Sequence, residues 1–226
     1  MKGKKKIRIK YNRIIIFLLL VIISVAAICY ILNLRIKNIF VTNKNNIILT
    51  EQDVIDMAKL SDYPVSLENS SLKIKKTLED NPYVYKARVT KKFLTTVNIT
   101  VQENYPLFFN SINNRTVLYD GTMVDKQFSN IPSVINYIPD VKYTSLINKM
   151  QKLNIEILSR ISQIEYKPSD FDDERFLLFM NDGNYVYITL YKFDNLNKYL
   201  DIIVNFENKR GILYLDSGNY FEIKEN

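Results

Sequence analysis

The stretch from Ile14 to Leu34 constrains this chain more than any other feature: 21 residues without one charge. At about 1.5 Å of rise per residue they make about 31 Å of helix, matching a hydrocarbon core about 30 Å thick. Tyr30 and Asn33 stand near its outer end, where a ring or an amide reaches the interface. Lys2, Lys4, Lys5, Lys6, Arg8, Lys10 and Arg13 precede the stretch, and only Arg35 and Lys37 follow closely. The positive-inside bias then sets the N-terminus in the cytoplasm and the rest of the chain outside. A cleaved signal peptide also begins basic and then apolar, but its apolar core runs only about 7–15 residues to a small-x-small site. Ser24-Val25-Ala26 is a weak site of that kind, and the apolar run continues well past it. A lipoprotein signal needs a small residue before its cysteine, and Cys29 follows Ile28. The segment reads as an uncleaved, single-pass anchor.

The net charge of +7 belongs to the tail. Of 31 Lys plus Arg, seven lie in residues 1–13, leaving 24 to balance the 24 Asp plus Glu of the remainder. A basic arm this close to the bilayer is a topology determinant touching anionic lipid, so no nucleic-acid partner is expected. The chain has no His, which excludes Ser–His–Asp catalysis and His-ligated metal. Its five glycines are too scattered for a phosphate-cradling loop or a dinucleotide fingerprint. No cofactor and no metal is expected. Cys29, the single cysteine, falls within the span, so the exported part must hold together without a disulfide.

Beyond the span, residues 36–41 are β-rich and end in the turn cluster Thr42 to Asn46. Thr50-Glu51-Gln52-Asp53 opens a helix, with Thr50 as cap and Val54, Ile55, Ala58 and Leu60 as its apolar stripe. A second helix, about Ser70 to Asp80, is expected to bury Leu72, Ile74 and Leu78 before Asn81-Pro82 stops it. A strand over Tyr83–Thr90, a polar turn at Lys91-Lys92 and a strand over Thr95–Gln102 follow. In the last, Val97, Ile99 and Val101 alternate with Thr96, Asn98 and Thr100, so one face is buried. The order is β-α-α-β-β.

Residues 107–226 carry three hairpin signals, at Asp120-Gly121, Asn181 to Asn184 and Asp216 to Asn219. Between them lie two amphipathic helices. One carries Leu146, Ile147, Met150, Leu153, Ile157 and Leu158, the other Leu196, Tyr199, Leu200, Ile203 and Phe206. A largely antiparallel sheet with helices against it, an α+β domain, is the expected architecture.

A single span followed at once by a β-α-α-β-β module resembles the FtsQ/DivIB family of bacterial cell-division proteins, whose first exported module is a POTRA domain. The likeness rests on Ile36-x-x-Ile39-x-Val41-x-Asn43, on Leu78-x-x-Asn81-Pro82-Tyr83-Val84-x-x-Ala87-x-Val89, and on Ile99-x-Val101-x-Glu103-x-x-Pro106. Phe93-Leu94 and Asn104 depart from it, where the family often has an aromatic–Pro pair and an Arg. Further on, Tyr119-Asp120-Gly121-x-x-Val124, Ile131-Pro132-x-Val134 and Gly211-x-Leu213-x-Leu215-Asp216 are similar to the family's β domain. The resemblance implies a cytoplasmic tail over 1–13, a transmembrane helix over 14–34, a POTRA domain over 36–104 and a β domain over 105–226. It further implies a non-catalytic scaffold at the division septum, joined to small bitopic proteins of the FtsL and FtsB/DivIC types and regulating septal wall synthesis. In that family the last strands accept a strand from the FtsB/DivIC partner. The positions carried over are Leu213, Leu215, Tyr220, Phe221 and Ile223, in strands with little charge apart from Glu222. The opposing expectation is that this hairpin lies inside the sheet.

Other constellations have plainer readings. Asp170-Phe171-Asp172-Asp173-Glu174 lacks the Gly and Glu of a calcium loop, since Arg175 and Asn181 stand in their places. It reads as a solvated loop. Glu103 and Asp80 read as strand-end and helix-end charges rather than an acid–base pair. The row Tyr185, Tyr187, Thr189, Tyr191 is a half-buried sheet face or a partner patch. Lys73, Lys75, Lys76, Lys91 and Lys92 give the first module a basic rim that reads as a solvated face or as one turned to an anionic envelope. Two functions outside the scaffold class remain: an anchored extracytoplasmic enzyme using carboxylates on a glycan, and a secreted binding domain with a cleaved leader.

Overall fold

The computed structural model describes residues 11–206 and 209–224, so most of the basic tail lies outside the described residues. Helix α1 spans Tyr11–Leu32, beginning earlier and ending sooner than the uncharged run. Its stretch Arg13–Leu32 is long and apolar enough to cross a membrane, and none of it is buried by the rest of the chain. A soluble core helix would be covered. The chain divides between Glu103 and Asn104 into two compact units, and α1 belongs to the first.

The first unit runs β1 (Asn38–Asn43), α2 (Glu51–Met57), α3 (Ser71–Glu79), β2 (Val84–Lys92) and β3 (Thr96–Glu103). Its sheet has the order β1-β3-β2, with β1 parallel and β2 antiparallel to the central strand. Local chemistry starts both helices. Thr50 Oγ1 accepts from Asp53 N at 3.2 Å while Thr50 N donates to Asp53 Oδ2 at 2.8 Å, a reciprocal cap. Ser70 Oγ caps α3 by accepting from Lys73 N. Val54, Ala58, Leu60, Ile74 and Leu78 are buried in one core with Val97, Ile99 and Val101 of β3.

Two expectations fail here for local reasons. Leu72 is 78% exposed. It stands two residues before buried Ile74, and residues two apart point to different sides of a helix. Lys91 and Lys92 belong to β2, and Phe93 and Leu94 make the turn with φ of 52° and 59°. Left-handed backbone at an apolar residue costs about 1–3 kcal/mol. Glu103 closes β3 as the strand-end charge expected. It is fully buried, and its carboxylate accepts from Asn43 Nδ2 at 2.5 Å and from the backbone N–H of Ile47, Ile48 and Leu49 at 2.9, 3.1 and 2.9 Å. That side chain ties the 44–50 loop to the end of the central strand.

The second unit runs β4 (Pro106–Asn110), β5 (Arg115–Leu118), β6 (Met123–Val124), β7 (Ser133–Val134), α4 (Asp140–Met150), α5 (Ile155–Leu158), β8 (Ile161–Tyr166), β9 (Arg175–Met180) and β10 (Tyr185–Thr189). A mostly 3-10 passage surrounding α6 (Tyr199–Ile203) leads to β11 (Gly211–Tyr214) and β12 (Tyr220–Ile223). The nine strands form one sheet, β12-β11-β10-β9-β8-β7-β4-β5-β6. All three expected hairpins are present, as β5–β6, β9–β10 and β11–β12. The sheet is mixed: β4–β7, β7–β8 and β10–β11 pair in parallel, and the other neighbours are antiparallel.

Both expected long helices are broken. The first parts into α4 and α5, because Asn197 Oδ1 takes the backbone N–H of Asn154 at 2.8 Å. The second is 3-10 over Leu190–Lys198, α-helical over Tyr199–Ile203 and 3-10 again over Val204–Phe206. Leu190, Phe193, Leu196 and Tyr199 recur every third residue and are all buried. Three residues per turn puts such a row on one face.

Glu103→Ala should destabilise the first unit by about 3 kcal/mol or more, because three buried backbone donors lose their acceptor. Glu103→Gln should do nearly as badly, since its NH2 group faces donors. Urea denaturation of the exported region checks both.

Candidate partner-binding edge

The last hairpin forms one end of the sheet, and β12 has β11 as its only neighbour among the described strands. Its position depends on a polar pin. Asn184, at the end of the β9–β10 turn, is buried; its Oδ1 accepts from Gly211 N at 2.9 Å and its Nδ2 donates to Tyr199 Oη at 3.0 Å. Tyr199 Oη donates in turn to Asp182 Oδ2 at 2.7 Å. Burial and then the bond to Asp182 push the Tyr199 phenol well above its ordinary range. Gly183 makes the turn possible with φ of 87°. Gly211 is required for a different reason: a Cβ there would lie 2.1 Å from the Glu222 carbonyl oxygen.

The pairing pattern assigns every main-chain group of the hairpin. Leu215 N donates to Tyr187 O at 2.8 Å, so the odd residues of β11 face β10. Lys224 N donates to Arg210 O at 3.0 Å, and Gly211 sits opposite Ile223. Hydrogen-bonded and non-bonded pairs alternate along an antiparallel ladder. Tyr220 and Glu222 therefore bond to β11, while the N–H and C=O groups of Phe221 and Ile223 point away from the sheet.

Side chains follow the same alternation. Tyr187, Tyr214 and Tyr220 stand in register across β10, β11 and β12, with ring centroids 5.4 and 4.5 Å apart and near-parallel planes. Arg175 caps the row, its guanidinium 3.7 Å from the Tyr187 centroid and its Nε 2.7 Å from Asp216 Oδ2. Burial, then the bond from its hydroxyl to Glu222, raises the Tyr214 phenol. On the other face Phe221 packs on the Phe206 ring at 4.4 Å and against the core. Of the five expected docking positions, Leu213 and Leu215 are only 1% exposed and serve the core. Tyr220, Phe221 and Ile223 lie on the edge strand, with Ile223 44% exposed. The tyrosine row is real for Tyr185 and Tyr187; Thr189 is buried and Tyr191 lies past the strand. The stacked ladder through Tyr214 and Tyr220 was not legible, because it needs the parallel β10–β11 register.

Three of the carboxylates that suggested other chemistry, Glu103, Asp173 and Glu174, are engaged. Four donors saturate Glu103, and Lys142 Nζ lies 3.1 Å from Asp173 and 3.0 Å from Glu174. No cluster of potential metal-ligating side chains occurs among the described residues. A 270 Å³ hollow elsewhere in the unit is lined by Asn110, Asn136, Asp140 and Tyr143 beside apolar side chains.

An apolar anchor, a β-α-α-β-β module and a second α+β unit define a single-pass membrane protein with two folded units. Residues 34–104 match the family described as POTRA domain, FtsQ-type. The chain is similar to the cell division protein DivIB of Bacillus subtilis, 26% identical over 98% of this chain and 88% of that one. It is also similar to DivIB of Geobacillus kaustophilus, 25% identical over 76% and 70% of the two chains. Among solved structures, the major extracytoplasmic domain of the trans isomer of Geobacillus stearothermophilus DivIB matches 46% of this chain and 93% of that one, at 21% identity and a TM-score of 0.39. Residues 34–104 thus carry a POTRA domain of the FtsQ type, and the chain as a whole is similar to DivIB cell-division proteins.

Asn184→Ala should cost about 1–3 kcal/mol, by leaving the buried Gly211 N–H without an acceptor; chemical denaturation reads this. Alkaline pH should weaken the second unit. Burial, then Tyr119, pushes the Tyr105 phenol up to about 12. The folded chain thus keeps a proton that the unfolded chain loses near pH 10, and stability falls as pH rises from about 10 through about 12. Melting curves over that range should flatten in Tyr105→Phe.

Proposed function

We propose that the protein is a membrane-anchored, non-catalytic scaffold of the division machinery. Its partners are small bitopic proteins of the FtsL and FtsB/DivIC types, and it regulates septal wall synthesis through them. The docking site is β12, which accepts a strand of the FtsB/DivIC-type partner by main-chain pairing. The observation that carries this reading is the outward N–H and C=O pair on Phe221 and Ile223, on the outermost strand of a nine-stranded sheet. Such an edge pairs readily with an added strand unless charge, proline or a bulge blocks it. The adjoining Tyr187–Tyr214–Tyr220 row offers aromatic surface for the incoming strand's side chains. Relatives named as cell division proteins support the cellular role. The scaffold reading also accounts for the engaged state of Glu103, Asp173 and Glu174.

The register selects the test. Proline at Tyr220 would remove a donor to β11 and damage the hairpin itself, and proline at Phe221 would strip packing from Phe206. Ile223→Pro removes an outward donor and leaves the core alone. Ile223→Pro should fold with unchanged circular dichroism and bind a co-expressed FtsB/DivIC-type partner about tenfold more weakly, the equivalent of about one hydrogen bond. Undiminished binding would refute the β12 assignment. A fluorescent fusion of the full chain should form a band at mid-cell; an even membrane signal would count against the division role.

A further inference from the structure

We propose that the tip of the β2–β3 hairpin, with the loop beside it, is a membrane-contact surface that seats the POTRA unit on the anionic lipid interface next to its own anchor. The inference rests on reading α1 as a membrane span. It begins with the absence of slack after that helix. Leu34, two residues past the end of α1, accepts from Ser66 N at 2.8 Å, and Ile36 N donates to Pro64 O at 3.0 Å while its side chain is buried in the core. Ser66 Oγ donates to Leu94 O, and the backbone N–H groups of Lys37 and Asn38 donate to Thr95 O at 2.7 and 3.1 Å. Two extended residues reach at most about 7 Å. The turn at Phe93 and Leu94 is thus hydrogen-bonded to the residues that leave the bilayer. The span of Arg13–Leu32 covers about 30 Å, the hydrocarbon core, so these groups fall in the headgroup layer.

The side chains at that level suit an interface. Phe93 is 92% exposed and Leu94 39%, and Tyr63 and Leu67 of the neighbouring loop are exposed as well. Both turn residues are left-handed, a conformation that ordinarily selects Asn or Gly. Apolar side chains occupy the tip although the backbone there prefers others. Arg35, Lys37, Lys91 and Lys92 lie within a few residues of these hydrogen-bonded positions along the chain, against Asp62 and Glu68. Lys91 Nζ donates to Ser66 O at 2.5 Å and to its Oγ at 3.0 Å, and no carboxylate lies within ion-pair distance of it among the described residues. Burial lowers its pKa, as expected for a cation that lacks a nearby anion. Phospholipid headgroups would supply that anion, and acyl chains would receive Phe93 and Leu94.

The chain contains no Trp, so single tryptophans report cleanly. Phe93→Trp, Tyr85→Trp and Phe17→Trp are placed one at a time in the full chain and reconstituted in phosphatidylglycerol–phosphatidylcholine vesicles carrying brominated acyl chains. Tyr85 lies near the opposite end of β2, about 25 Å along the strand. Tryptophan at 93 should be blue-shifted and quenched at least about threefold more than at 85, approaching the residue at 17. Adding Lys91→Gln and Lys92→Gln should reduce that quenching. Equal, weak quenching at 93 and 85 with strong quenching at 17 would overturn the interface contact and leave the anchor intact. No quenching at 17 would overturn the anchor and this inference together.

Discussion

The hydrogen bond from Gly211 to the side chain of Asn184 decides where the end of the chain can lie. Strand β11 is parallel to β10, so a long passage must carry it back across the unit before it can pair. Residues 190–206 make that crossing on the buried row Leu190, Phe193, Leu196 and Tyr199. Tyr199 then reaches the same Asn184 that receives Gly211. One amide thus joins the turn, the crossing and the returning strand. A slip of one residue would turn Leu213 and Leu215 out of the core and reverse which groups of β12 face outward.

In the first unit a charge performs the comparable task. Glu103 is buried with no cationic partner among the described residues, and three backbone N–H groups and one amide compensate its charge. Hydrogen bonds to an ionised group are about twice as strong as neutral ones. The arrangement holds a seven-residue loop against the sheet in an exported region that contains no cysteine. Both units therefore fasten loops to strands by polar side chains, where many small exported domains rely on disulfides.

The four sheet edges differ in length and charge, and β1, at one edge of the small sheet, is six residues long and uncharged. Strand β2 is a nine-residue edge guarded by Lys86, Arg88 and Lys92. Strand β6, at the far end of the large sheet, has two residues. Strand β12 carries only Glu222 as a charge, and Tyr214 engages it.

The sequence alone determined the apolar span, the Thr50 helix cap of the first unit, the alternation of β3 and the three hairpin turns. Each is written in residues a few positions apart, and short-range periodicity or a cap decides it. Where local rules were misapplied, as at Leu72, the angle between neighbouring helix positions explains the exposure. Tertiary structure decided the rest. Glu103 looks like any strand-end acid until the loop some 55 residues earlier folds over it. Asn184 reads as a turn residue until Gly211 returns beside it, and Leu213 and Tyr220 look alike until β12 becomes the outermost strand. Strand order and burial depend on pairings between distant residues, and those energies exist only once the sheet has closed around its core.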